Sequence, residues 1–254
     1  MVKLFMENRK GDFANIYIDT MFNSAATTEN LIAVKRKLMN SKVDDEVILY
    51  VSGHGLLDDN LDFYFASHNI DFSNPSVNGI SYDALEGLLD GIPARKKLLL
   101  MDACHSGEVD KEDTQQEADN NVLLADGKKS GLKTYSYKGA VMKHSSDPNK
   151  VGLQNSFDLM QELFANLSRG SGAVVISAAA GVGYALEGEQ WNNGVFTYAL
   201  LDGLYNQRAD ANGDKQVSLS ELRSYVIGEV DRLTNGRQRP TCRQENLEFD
   251  WRVW

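Results

Sequence analysis

The sequence predicts an α/β fold, a mostly parallel central sheet flanked by helices on both faces. Two observations carry this. Four short runs rich in β-branched residues or leucine stand at 13–19 (FANIYID), 46–52 (EVILYVS), 97–102 (KLLLMD) and 173–179 (AVVISAA), each reading as a buried strand. The stretches between them carry helical periodicity, and strands that alternate with helices form parallel sheets covered on both sides.

Between the first two runs, Thr27 or Thr28 can cap a helix whose Leu31, Val34 and Leu38 share one face. Ser81 can cap a second helix, with Leu85, Leu88 and Leu89 as its buried stripe. Phe157, Met160, Phe164 and Leu167 give a third stripe before the fourth run. A further helix is expected to include Leu222, Tyr225 and Val226.

The 254 residues, 42% hydrophobic and 24% charged with only 4 Pro, describe a folded chain of one α/β domain and exclude disorder and collagen. A net charge of −10 provides no basic field for a phosphate backbone, so nucleic acid is not an expected partner. Cys104 and Cys242 are the only cysteines, too few for a disulfide framework. The first residues have no apolar core of signal-peptide length, and no run approaches the roughly 18 apolar residues of a membrane span. A cytoplasmic protein is expected, with no membrane partner.

Open α/β sheets place ligand sites outside the carboxyl ends of their strands. The second run ends in Ser52-Gly53-His54-Gly55 and the third in Asp102-Ala103-Cys104-His105-Ser106-Gly107. A cysteine attacks as thiolate, and an imidazole can take its proton and later return it to a leaving amine. The flanking glycines are expected to let the backbone turn sharply and approach a substrate. The amides of Gly55 and Cys104 could then face the oxyanion of a tetrahedral intermediate. The implied reaction is acyl transfer to Cys104, assisted by His54, followed by hydrolysis. His105 is a poorer base, because adjacent residues send their side chains apart. His68 and His144 read as surface residues. A zinc site built from Cys104, His105, His54 and His68 is a weaker reading, with neither a CxxC pair nor an HExxH helix.

The pair VILYVSGHG and KLLLMDACHSG, with His54 and Cys104 fifty positions apart, resembles the caspase-like cysteine peptidases, in particular their metacaspase and bacterial caspase-homologue branch. AVVISAAA, the GxFTxAL stretch from Gly194 to Leu200, the DANGD turn and Gln238-Arg239-Pro240 extend the similarity from about Phe13 to Trp254. The resemblance implies a caspase-like three-layer sandwich, a dyad of His54 and Cys104, and an oxyanion hole of Gly55 and Cys104. It places Ser52 and Asp102 in the substrate pocket. A carboxylate at the base of that pocket selects Arg or Lys before the cleaved bond. Aspartate-specific relatives have an arginine directly after the cysteine, where this chain has His105. The alternative is a catalytically silent adaptor domain of the same fold. Members of the family begin with a strand and a helix ahead of the segment equivalent to 13–19, so an upstream segment or a partner chain is expected to complete the sheet.

Two other regions stand out by composition. From 108 to 121 there are six acidic residues and one lysine, and from 122 to 150 six lysines and two aspartates. The whole stretch 108–150 reads as a mobile insert, and 122–150 as a site of possible self-processing, with a protein or peptide as the substrate in general. Near the C-terminus, Asp210, Asn212, Asp214, Ser218 and Glu221 occupy positions one, three, five, nine and twelve of a calcium loop, although position six, normally glycine, is Lys215. Calcium is one reading of this turn, and a helix-capping turn with Glu221 inside the helix is the other. The chemistry of the dyad itself requires no cofactor.

Overall fold

The computed structural model describes residues 1–7, 13–58, 62–106, 136–137, 172–178, 185–188, 191–244, 246 and 248–254, with only the backbone at 57, 104–106 and 136–137. The expected third helix stripe, Phe157 to Leu167, His144 and nearly all of the 108–150 insert lie outside the described residues.

Six strands form the main sheet: β1 (Glu46–Leu57), β2 (Phe63–Phe65), β3 (Ile80–Ser81), β4 (Lys96–Ser106), β6 (Val174–Ser177) and β9 (Thr241–Arg243). Their order is β3-β2-β1-β4-β6-β9. The centre is parallel, β1 beside β4 and β4 beside β6, whereas β2, β3 and β9 add antiparallel flanks. A small second sheet joins β5 (Ser136–Tyr137), β7 (Leu186–Gly188) and β8 (Asn193–Gly194). The expected α/β class and the parallel centre are thus observed.

The helices begin where capping chemistry sets them. In α2 (Thr28–Leu38) the Thr27 hydroxyl accepts from Asn30 N at 3.3 Å, and Leu31 is buried. Ser81 caps α3 (Tyr82–Gly87) by accepting from Ala84 N at 3.1 Å. A reciprocal capping box between Ser218 and Glu221 opens α5 (Leu219–Thr234). Two more helices are α1 (Val2–Glu7) and α4 (Val195–Tyr205), the latter capped by Gly194. No helix among the described residues is long and apolar enough to cross a membrane.

Period-two alternation along β4 divides the core between the two faces of the sheet. Leu98 and Leu100 join Leu4 of α1 and the buried residues of α4 and α5, including Phe196, Leu200, Leu222 and Val226. Leu99, Met101 and Ala103 face Leu31, Leu85, Leu88 and Leu89 on the other side. Each such leucine, removed from water completely, contributes about 1.5–3 kcal/mol of burial. An ion pair of Arg243 on β9 with Glu86 of α3, joined by Tyr82, ties the edge of the sheet to its second helical layer.

Three expectations are corrected. Residues 13–19 form no strand: a bend falls at Ala14, Tyr17 is exposed, and none of the seven residues is fully buried. Its β-branched residues suit a strand, but a strand exists only against a partner edge, and no described strand pairs with it. The other two corrections concern the glycine-rich motifs, which do not follow their strands but lie inside them. β1 continues through Gly53, His54 and Gly55 to Leu57, and β4 runs through Cys104 to Ser106. Neither Gly53 nor Gly55 has the positive φ of a sharp glycine turn.

On the side of β1 away from β4, β2 pairs only with 55–57. Among the described residues no strand lies beside the remainder of that edge, and Val47, Leu49 and Val51 are half-buried whereas Leu98 to Ala103 opposite them are fully buried.

Candidate active site

Parallel pairing brings the two motifs together residue by residue. The register sets Ser52 beside Asp102, His54 beside Cys104 and Gly55 beside His105. Neighbouring strands run about 4.8 Å apart, so His54 and Cys104 are lateral neighbours at the carboxyl ends of the two central strands. The His54 carbonyl accepts from Ala66 N at 2.8 Å, which fixes the histidine where β1 takes on its antiparallel partner β2. His54 and Ser52 are exposed, while Gly55 is buried. A Cβ built on Gly53 would meet nothing within 4 Å, so this glycine borders open space instead of packed protein.

Asp102 lies one period of two before Cys104, roughly 6.6 Å along the strand. It is 0% exposed. Thr197, buried in the first turn of α4, donates its hydroxyl to Asp102 Oδ2, and Tyr50 OH lies 2.6 Å from Thr197 Oγ1. With the threonine proton committed to the carboxylate, Tyr50 is the donor to Thr197. The chain of donors runs Tyr50 to Thr197 to Asp102, linking β1, α4 and β4. Sequence reading missed Thr197 and Tyr50. The GxFTxAL stretch contains Thr197, but nothing in its spacing points to a carboxylate 95 positions earlier.

The segment that leaves β6 is clamped by Gln238, which is 1% exposed. Its amide Nε2 donates to Ala178 O at 2.8 Å and its Oε1 accepts from Leu186 N at 2.7 Å.

His68 is exposed, as expected of a surface residue. Cys242 is half-buried on β9, its thiol pKa pushed up by burial and partly opposed by Arg223. A high thiol pKa disfavours the nucleophilic thiolate.

The acidic turn spends its oxygens on its own backbone. Asp210 Oδ1 accepts from Gly213 N at 2.7 Å and Oδ2 from Lys215 N at 2.8 Å. Asn212 Oδ1 and Asp214 Oδ1 accept from Asp214 N and Gln216 N, both at 2.8 Å. Glu221 Oε1 accepts from Ala211 N and Asn212 N, and Oε2 from Ser218 N. No group of three or more His, Cys, Asp or Glu side chains able to hold a metal occurs among the described residues. Lys215 adopts φ +66°, the left-handed conformation for which a calcium loop uses glycine.

Comparison with known proteins bears on the fold and the family. No curated protein matches the sequence. Among solved structures, a protein from Geobacter sulfurreducens superimposes with a TM-score of 0.53 at 18% identity, covering 95% of this chain and 80% of that one, a likeness of fold. The sequence profile of the caspase domain, peptidase C14, matches residues 12–251. The parallel centre, the paired His and Cys motifs and this match over nearly the whole length lead to one assignment: the chain belongs to the caspase-domain family.

Proposed function

We propose that the protein is a cysteine endopeptidase that cleaves after arginine or lysine. The observation that carries the reading is the register partnership of His54 and Cys104 at the carboxyl ends of adjacent parallel strands, in a chain of the caspase-domain family. His54 takes the Cys104 thiol proton as the sulfur attacks the scissile carbonyl. The tetrahedral oxyanion is held by the amides of Gly55 and Cys104. Collapse breaks the C–N bond, and His54 returns the proton to the departing amine, leaving a thioester on Cys104. His54 then deprotonates a water that hydrolyses the thioester and regenerates the thiol.

The specificity proposal rests on Ser52 and Asp102, the register pair one period deeper than the dyad. A buried carboxylate accommodates a substrate cation and disfavours an incoming aspartate.

The test is hydrolysis of fluorogenic peptides ending in Arg, Lys or Asp by wild type, Cys104→Ala and His54→Ala. Each substitution is expected to lower turnover of the Arg peptide by roughly a thousandfold or more with unchanged circular dichroism, since the two groups act as a unit. Retained turnover in the Cys104 variant, or faster cleavage after Asp than after Arg, overturns the reading. An inert wild type would favour a silent adaptor domain.

A further inference from the structure

We infer that Thr197, backed by Tyr50, is a positioning residue for substrate specificity, holding the Asp102 carboxylate in the orientation that receives a basic side chain. The inference rests on the proposed preference for Arg or Lys and extends it to two residues remote in sequence from both motifs.

A carboxylate fully removed from water needs hydrogen-bond donors to remain an anion. Thr197 supplies one directly, from the first turn of the eleven-residue helix α4, where the positive end of the helix dipole also favours negative charge. Thr197 is itself 5% exposed and Asp102 0% exposed, so solvent competes for neither end of the bond. A threonine hydroxyl has a single proton. Its donation to Asp102 Oδ2 leaves Oγ1 as the acceptor for Tyr50 OH, at 2.6 Å. Tyr50 therefore selects the threonine rotamer and proton direction that suit the carboxylate.

The three residues belong to three elements, β1, β4 and α4, and two of those are the strands that carry His54 and Cys104. Asp102 stands two positions before Cys104 in β4, and Tyr50 shares its strand face with Ser52 and His54 by the period of two. The chain of hydroxyls thus runs along the same pair of strands as His54 and Cys104, ahead of them in each strand. A Lys or Arg side chain arriving there meets a carboxylate with one oxygen fixed in place. Pre-organisation of this kind acts on binding of the charged group and not on thiol chemistry, so its loss is read in KM for cationic substrates.

The experiment compares an arginyl fluorogenic peptide with its citrulline counterpart, which keeps the shape and lacks the charge, using wild type, Thr197→Val, Thr197→Ser, Tyr50→Phe and Asp102→Asn. Thr197→Val, which preserves shape without the hydroxyl, is expected to lower the arginine-to-citrulline ratio of kcat/KM by about 10-fold or more, mainly through a raised KM. Tyr50→Phe should lower it less, Thr197→Ser should restore it, and Asp102→Asn should lower it most. Circular dichroism of every variant, and citrulline turnover, report on folding independently. If Asp102→Asn lowers the ratio and neither Thr197→Val nor Tyr50→Phe does, Asp102 selects the substrate without Thr197 and the inference is overturned. Equal losses on both peptides in Thr197→Val overturn it too, marking a structural hydroxyl. If Asp102→Asn leaves the ratio unchanged, or the wild type cleaves neither peptide, the underlying specificity or peptidase reading fails and the inference with it.

Discussion

Gln238 and Ala178 are joined by a buried hydrogen bond, the side-chain amide of the former donating to the carbonyl of the latter just past the end of β6. The other end of the same amide accepts from Leu186 N at the start of β7. One glutamine thus satisfies two buried backbone groups that flank the segment 179–184, and Thr234 at the end of α5 in turn accepts from Gln238 N at 3.1 Å. The similarity of Gln238-Arg239-Pro240 to the family acquires a physical content here, a clamp between the C-terminal segment and the strand next to β4.

Gln238→Ala is therefore expected to destabilise the fold by about 1–3 kcal/mol, because it takes their hydrogen-bond partner from a buried N–H and a buried C=O. Urea unfolding followed by tryptophan fluorescence would measure it. A change below about 0.5 kcal/mol would mean that the two backbone groups find other partners.

The central strands, the caps and the leucine stripes were legible in the sequence because each rests on local spacing. Thr27 and Ser81 cap the helices assigned to them, and Leu31 and Leu85 are buried on those helices, whereas Leu88 and Leu89 are buried in the turn that follows, since α3 ends at Gly87. The segment 13–19 was misread because its residues state a preference for extended backbone, and pairing depends on an edge elsewhere in the molecule. The reach of β1 past Gly53 and Gly55 was underestimated for a similar reason. Glycine weakens an isolated strand, yet β4 pairs with β1 along its length to Leu56, and β2 clasps it from Gly55 onward. Of the candidate site, His54, Cys104, Ser52 and Asp102 were visible through their motifs, and their register follows once both runs are parallel neighbours. Thr197 was invisible as a partner of Asp102, since a contact between α4 and β4 has no signature in spacing.

Glu46 at the start of β1 gives a pH-dependent prediction. Burial is the main cause that pushes its carboxyl up from 4.5 to about 7, with the Trp251 indole and the Lys96 ammonium pulling weakly the other way. Both carboxyl oxygens are shielded from solvent. The folded state then holds the proton more tightly than the unfolded chain does. The stabilisation is fully present below about 4.5 and is lost as pH rises toward 7. Glu46→Gln removes this titration. It is expected to flatten the decline in stability between pH 5 and pH 8 and to be more stable than wild type at pH 8 by about 1–3 kcal/mol. Parallel pH-stability curves for the two proteins would show no difference in slope if the carboxylate found solvent or a cation.

The acidic turn gives a stability prediction of a different kind. Lys215 stands at φ +66°, where a side chain costs energy that glycine avoids, while Asp210 holds the Lys215 amide in place. Lys215→Gly should raise stability by about 0.5–1 kcal/mol, and Asp210→Ala should lower it by about 1–2 kcal/mol through the loss of its bonds to backbone amides. Melting temperatures taken in EDTA and in millimolar calcium decide what the turn is for. Effects of equal size in both describe a turn that caps α5, and an Asp210→Ala loss confined to calcium describes a metal loop.

Self-cleavage within 128–143 is the remaining expectation, and it follows from where the insert starts. β4 carries Cys104 and ends at Ser106, so the insert is tethered within a few residues of the nucleophile and its effective concentration at the site is high. Its lysines at 128, 129, 133, 138 and 143 lie in a context of glycine and serine that suits proteolytic nicking. The short strand Ser136–Tyr137 pairs with Leu186 and Glu187, and paired backbone must open before a protease can hold it extended. Cleavage is therefore expected after Lys128, Lys129 or Lys143 in preference to Lys133 or Lys138, which flank the pair. Purified wild type should convert slowly to two chains with masses that match those positions, and Cys104→Ala should stay whole. The fragments should remain associated through β4 and β6, which lie on opposite sides of every one of these cuts and pair in the main sheet. Intact-mass spectrometry of both proteins over time reads all of this. An uncut enzyme that hydrolyses arginyl peptides, or equal cutting of the Cys104 variant, would show that the insert is no substrate of this site.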